Sequence, residues 1–193
     1  MRKVRKNIII WGPTRCGKTT LARRLAAEFG YNWYGTDAMR EFYDELVPGD
    51  KIFDQRDFEQ GPMMAKALAR YISCLNWETK HEGKNFVFEG VSFDLEYLFA
   101  RSDIDKDDFV VVCLGYDLSP EEKFEQIRKY ETEDDWHAER TDEELMKQCV
   151  DSDKTSEVVK GVADRLGFRY FDVSVDRDKV LDEVMDYIRG ENK

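Results

Sequence analysis

Residues 12–19 read GPTRCGKT, and no other stretch narrows the possible folds so far. The stretch satisfies the pattern G-x-x-x-x-G-K-[ST]. It follows the apolar run NIIIW (7–11) and precedes TLARRLAAEF (20–29), whose apolar residues recur at helical spacing. A buried strand, a glycine loop and an amphipathic helix in that order form a cradle for phosphate. Glycines let backbone N–H groups turn inward without a β-carbon in the way. A helix starting near Lys18 adds its free N–H groups and its positive dipole end. The Lys18 ammonium can reach the outer phosphates, and the Thr19 hydroxyl can ligate magnesium, with Thr20 belonging to the helix start. Cys16 contributes its backbone, and a lowered thiol pKa beside Lys18 and the helix start is an expectation to test.

The rest of the chain alternates strands and helices. Apolar strands are expected at 7–11, 31–35, 85–90, 108–115 and 168–175. Helical stripes run through Leu21–Phe29, Met63–Leu75 (entered through Pro62), Val158–Leu166 and Val180–Ile188. SPEE (119–122) and TDEE (141–144) have the form of capping boxes. Buried strands alternating with helices predict a parallel sheet covered on both faces. Ligands in such sheets bind at the carboxyl ends of the strands, which places Gly12, Asp37, Glu89 and the loops after 115 and 173 along one edge. Two charged, poorly periodic stretches, 48–62 and 131–142, are long enough to cover a site.

Composition excludes several classes. The 193 residues suit one domain with room for a small inserted cap. A formal charge of −11 argues against binding a nucleic-acid polymer, and the basic MRKVRK start reads as a lead-in to the first strand. Cys16, Cys74, Cys113 and Cys149 lie far apart with no CxxC pair, which disfavours zinc and disulfide frameworks and suits a cytoplasmic location. No secretory leader is read at the start, and no apolar stretch approaches the roughly 18–20 residues of a membrane span. His81 and His137 are the only histidines and have no evident pairing, so each is expected at the surface.

Carboxylates supply the remaining chemistry. In FVFEG (86–90), Glu89 follows three apolar residues, where an acid needs a metal, its water or another partner. In GTDAMR (35–40), Asp37 either caps the next helix or contacts an acceptor, while Arg40, three residues on, shares its helix face and can grip an anion. Arg128 and Arg140 flank the acidic ETEDDW. They suit a lid that neutralises transition-state charge, or ordinary salt bridges at a helix end. Arg56, within 48–62, is a further substrate candidate, and Trp136 is either a lid anchor or core.

Together, GPTRCGKTT, GTDAMR and FVFEG resemble the nucleoside-monophosphate-kinase-like group of P-loop kinases, which includes adenylate, shikimate and gluconate kinases. The resemblance runs in order along nearly the whole chain. It implies a three-layer α/β P-loop fold with about five parallel strands in the order 2-3-1-4-5, with ATP as donor and Mg2+. Gly12, Pro13, Thr14, Arg15, Cys16, Gly17, Lys18, Thr19 and Thr20 would hold the donor, and Thr19 and Glu89 the metal side. Asp37 and Arg40 would take the acceptor within a 38–75 segment. Arg128 and Arg140 would sit in a 119–142 lid, with Ser174 to Asp176 beside the donor base. Adenylate kinase carries an arginine shortly after its D-G element, and EGVSFDLE has none, so the likeness is to the group rather than to that enzyme.

Three functions suit these residues. The first is a kinase of a small acceptor, nucleotide or nucleoside foremost. The second is a regulatory nucleotide-binding ATPase, although the [NT]KxD base-reading motif of small GTPases is absent. The third is an antibiotic-type or polynucleotide phosphotransferase, the polynucleotide form disfavoured by charge.

Overall fold

A computed structural model describes residues 5–46, 62–131 and 139–192. The expected cover at 48–62 falls almost wholly outside the described residues, as do Arg56, Trp136 and His137. The strands are β1 (Asn7–Trp11), β2 (Asn32–Gly35), β3 (Phe86–Gly90), β4 (Phe109–Gly115) and β5 (Arg169–Asp172). The helices are α1 (Lys18–Phe29), α2 (Thr36–Leu46), α3 (Pro62–Glu82), α4 (Leu95–Phe99), α5 (Pro120–Tyr130), α6 (Asp142–Leu166) and α7 (Arg177–Glu191). All strand pairs are parallel and the sheet order is β2-β3-β1-β4-β5, as the resemblance implied.

Alternation along β1 divides the core. Ile8 and Ile10 face α1 and α7, packing with Leu21, Leu25, Leu181, Val184 and Ile188. Ile9 and Trp11 face the other way, onto Leu68, Ile72, Leu75, Leu95, Leu98 and Val159 of α3, α4 and α6. With a helical layer on each face, β1, β3 and β4 are buried at every position, which is why each reads as a largely apolar run, interrupted only by Asn7 in β1 and Glu89 in β3. The edge strands β2 and β5 are only partly covered and carry polar residues.

Two helices run further than their apolar stripes suggest. α3 continues past Leu75 to Glu82, and its last turns bury Asn76 and Thr79. These side chains close on Asn7, which is 1% exposed at the start of β1. Asn7 donates to Asn76 Oδ1 (2.9 Å) and accepts from the Thr79 hydroxyl (3.0 Å), the Phe86 N–H (3.1 Å) and the Asn85 amide (3.2 Å). Likewise TDEE and the Val158–Leu166 stripe belong to one helix, α6. Between them its inner face is mostly polar, burying Gln148, Ser152, Thr155 and Ser156 beside Leu145 and Cys149. Both expected capping boxes form, through Ser119 with Glu122 and Thr141 with Glu144. Among the described residues no helix is long and apolar enough to cross a membrane.

Candidate functional site

The loop 12–17 leaves β1 at the carboxyl edge of the sheet and enters α1 at Lys18. Gly17 caps α1 with φ 93°, a left-handed conformation that a β-carbon disfavours, and no side chain accepts from the helix's first N–H groups. The contrast with α4, α5, α6 and α7 is direct. Asp94, Ser119, Thr141 and Asp176 each accept a backbone N–H at those starts. The N–H groups at the start of α1 are thus left for an anion. The Lys18 ammonium lies over the loop and donates to the Pro13 carbonyl at 2.6 Å.

Glu89 meets Thr19 across this edge. In register it lies between Ile10 of β1 and Gly35 of β2, on the sheet face that α1 covers. It is 5% exposed and its Oε1 accepts from the Thr19 hydroxyl at 3.0 Å. Burial raises its carboxyl pKa above the ordinary range. The Lys18 charge and hydrogen bonds from Thr19 and Trp33 oppose that rise, and the Asp37 charge adds to it. A β-carbon at position 35 would come within 3.1 Å of Glu89 Oε1, so Gly35 leaves the carboxylate its space. Two hard oxygen donors side by side, one a carboxylate held in a dry site, match what magnesium takes beside a nucleotide.

Asp37 lies in the first turn of α2 rather than ahead of it, where its charge complements the helix dipole, and it is exposed. Its charge reaches Glu89, so it belongs to the same cluster. Arg40 follows one turn later on α2, and its side chain lies outside what is described. The start of α2 is keyed to β3. Thr36 is 2% exposed, and a β-carbon on Gly90 would lie 2.0 Å from its Oγ1.

The lid candidates stand at the end of α5 and just ahead of α6. Arg128 donates to Asp142 Oδ1 (2.7 Å), Glu131 Oε2 (2.9 Å) and the Arg140 carbonyl (2.9 Å). It therefore joins the end of α5 to the start of α6. Arg140 donates to Gln148 Oε1 at 3.3 Å. Beyond β5, Ser174 Oγ accepts from the Asp117 N–H at 2.7 Å, joining the loops after β4 and β5 beside the start of α7. Asp176 is taken up as the cap of α7.

One expectation is overturned. The Cys16 thiol is not activated by Lys18, because full burial pushes its pKa up and outweighs the nearby cations. Its Sγ is engaged with the Pro13 carbonyl at 3.0 Å. His81 stands at the surface as expected, stacked on Trp77 with centroids 4.0 Å apart. A cavity of about 570 Å3 between Arg5, Phe29, Tyr31, Glu78 and Asn85 opens at the amino ends of the strands, away from these groups.

Two residues of the site escape a reading of the chain alone. Trp33 supports Glu89, and its only signal is the period of two that sets residues 33 and 35 on one face of β2. Lys123 is buried beneath the loop, and its signal is a lysine four residues before Ile127 on the covered stripe of α5.

Comparisons with known proteins bear on the fold and the family. The chain resembles an uncharacterized protein from Eubacterium ventriosum, with 17% identity over 96% of this chain and 99% of that one, TM-score 0.58. A shikimate kinase from Acinetobacter baumannii aligns at 16% identity over 97% and 95% of the two chains, TM-score 0.56. A gluconokinase from Sinorhizobium meliloti aligns at 14% identity over 99% and 95%, TM-score 0.54. No curated protein matches by sequence. Likenesses this distant establish the fold, which is that of the P-loop kinases. A family model described as an AAA domain matches residues 8–147, a span holding the loop, Asp37, Glu89 and both lid arginines, and the chain belongs to that family.

Proposed function

We propose that this protein is an ATP- and magnesium-dependent phosphotransferase whose acceptor is a small molecule of the nucleotide or nucleoside class. The observation that carries the reading is the Thr19–Glu89 pair at 3.0 Å, set against the uncapped start of α1 and within reach of the Lys18 and Asp37 charges. A donor-phosphate cradle and a carboxylate cluster that can address an acceptor share one sheet edge.

In this reading the backbone of residues 12–17 and the start of α1 hold the donor phosphates, and Lys18 neutralises charge on the outer ones. Thr19 and Glu89 would hold magnesium, which when bound offsets the negative charge of the phosphates. Buried Glu89 is kept in place by Thr19 and Trp33 rather than by solvent. Asp37, exposed at the start of α2, orients the acceptor hydroxyl or phosphate and receives its proton, while Arg40 grips an anionic group. Arg140 and Arg128 are assigned to the lid. Arg128 would have to exchange Asp142 and Glu131 to reach a phosphate, so it first serves to set the lid's shape. The whole chain would act as one kinase unit in the cytoplasm.

ADP release in the presence of Mg2+, ATP and an acceptor panel tests the reading. The panel includes nucleoside monophosphates, nucleosides, sugars, gluconate and shikimate, the last two because of the folds matched above. Turnover should depend on one acceptor and vanish in Lys18→Ala without loss of fold. Acceptor-independent hydrolysis coupled to binding of a protein partner would instead favour the regulatory ATPase.

A further inference from the structure

Lys123 is 3% exposed on the inner side of α5. A lysine is rarely buried to this degree without an acid beside it. Here the groups acting most strongly on the ammonium are Cys16, Cys149, Arg15 and Arg177, none of them a carboxylate. Among the described residues its contacts are a carbonyl, an amide and a ring. Nζ donates to the Arg15 carbonyl at 3.3 Å and to Gln126 Oε1 at 3.2 Å, and lies 4.0 Å from the centre of the Tyr116 ring. Burial pulls its pKa down to about 8. So costly a placement needs a reason, and fold stability does not supply one, since an apolar side chain of this size would suit the space as well.

The reason lies in what it touches. Among the described residues Arg15 is the one non-glycine with positive φ, at 63°. A phosphate loop functions only if its N–H groups converge on the anion, which requires its carbonyls to be held elsewhere. The Pro13 carbonyl is taken by Lys18 and Cys16. The Arg15 carbonyl is taken by Lys123. In a planar trans peptide the carbonyl and the following N–H point in opposite directions. Drawing the Arg15 carbonyl towards α5 therefore turns the Cys16 N–H away from α5.

We propose that Lys123 is a positioning residue for the phosphate loop, holding the Arg15 carbonyl so that the loop's N–H donors are arranged before the donor arrives. The same contact fastens the root of the lid to the donor side. This rests on the reading of the loop as a polyphosphate site.

Binding of ATP and of inorganic tripolyphosphate to the full chain, followed by calorimetry from pH 7 to 9.5, tests it. Lys123→Met keeps the length of the side chain and should unfold no earlier than the parent, so a loss of binding is not a loss of fold. The variant should bind both probes about tenfold more weakly or worse, the share of one hydrogen bond to a charged group. Parent affinity should fall as pH rises past about 8, where the ammonium is lost, and this slope should be missing in the variant. Burial raises the Cys16 and Cys149 thiols and the Tyr116 phenol, and Arg15 and Arg177 are common to parent and variant, so the variant isolates the lysine. Equal affinity in parent and variant, or the same pH slope in both, overturns the proposal. A parent that binds neither probe overturns the polyphosphate reading itself, and this inference with it.

Discussion

Replacing Gly90 by alanine should separate the acceptor side of the site from the donor side. A β-carbon there would lie 2.0 Å from Thr36 Oγ1, 2.6 Å from its Cγ2 and 2.7 Å from its Cβ. Ordinary carbon contacts begin near 3.4 Å, so the start of α2 must retreat by about 1 Å. Overpacking of this kind costs about 1–3 kcal/mol, and three simultaneous overlaps place this case near the upper end. For a chain of this size that corresponds to a fall in Tm of about 6–12 °C. The displaced element carries Asp37 and Arg40, and a shift of about 1 Å in a positioning group can cost roughly a hundredfold in rate. Donor affinity should change less, because the atoms that a β-carbon at position 90 overlaps all belong to Thr36 at the start of α2 and none to the glycine loop. Thermal unfolding reads the first effect, ATP titration the second and acceptor kinetics the third. A cycle with Thr36→Gly, which removes all three overlapping atoms, should show coupling of about 2 kcal/mol. Additive effects, or a Gly90→Ala protein with the parent's Tm, would refute the argument that Thr36 occupies that space.

Asn7→Ala removes four hydrogen bonds, three of them fully buried, that join β1 to α3, Asn85 and β3. It should cost about 3 kcal/mol, seen as a lower denaturation midpoint with nucleotide binding unchanged in the folded protein. Glu89→Gln should stabilise the metal-free protein at neutral pH while abolishing its magnesium response. Because the folded-state pKa of Glu89 is raised from 4.5, its contribution is fully present below that value and is lost as pH rises through the folded pKa. The Tm advantage of the variant should therefore grow upward from about pH 4.5 and then level off, and an advantage confined to lower pH would contradict the assignment.

Some of this was open to reading in the chain and some was not, for reasons that differ residue by residue. The stripes of α1 and α7 and the runs of β1, β3 and β4 are legible because their partners are apolar, and an apolar partner leaves its mark as periodicity. The full lengths of α3 and α6 are not, because Asn76, Thr79, Ser152 and Ser156 face inward and read as surface. They are buried only because remote groups satisfy them. Asn7 meets Asn76 and Thr79, and the Tyr116 N–H is donated to Ser156 Oγ at 3.2 Å. Cys16 misled for a related reason. Its neighbours in the chain are cationic, but its burial, set by the packed layers, governs its thiol.

The glycine loop was determined by the sequence alone, since its working parts are local: a left-handed glycine, a lysine and a hydroxyl at an uncapped helix start. What the loop works with was decided only by tertiary structure. Parallel pairing of β1 with β3, and of β3 with β2, sets Glu89 against Thr19 and over Gly35, with Trp33 beside it. Lys123 reaches Arg15 across 108 residues of chain. In a parallel sheet every strand delivers its carboxyl end to the same edge, so residues distant in sequence converge there without leaving any local pattern to announce it.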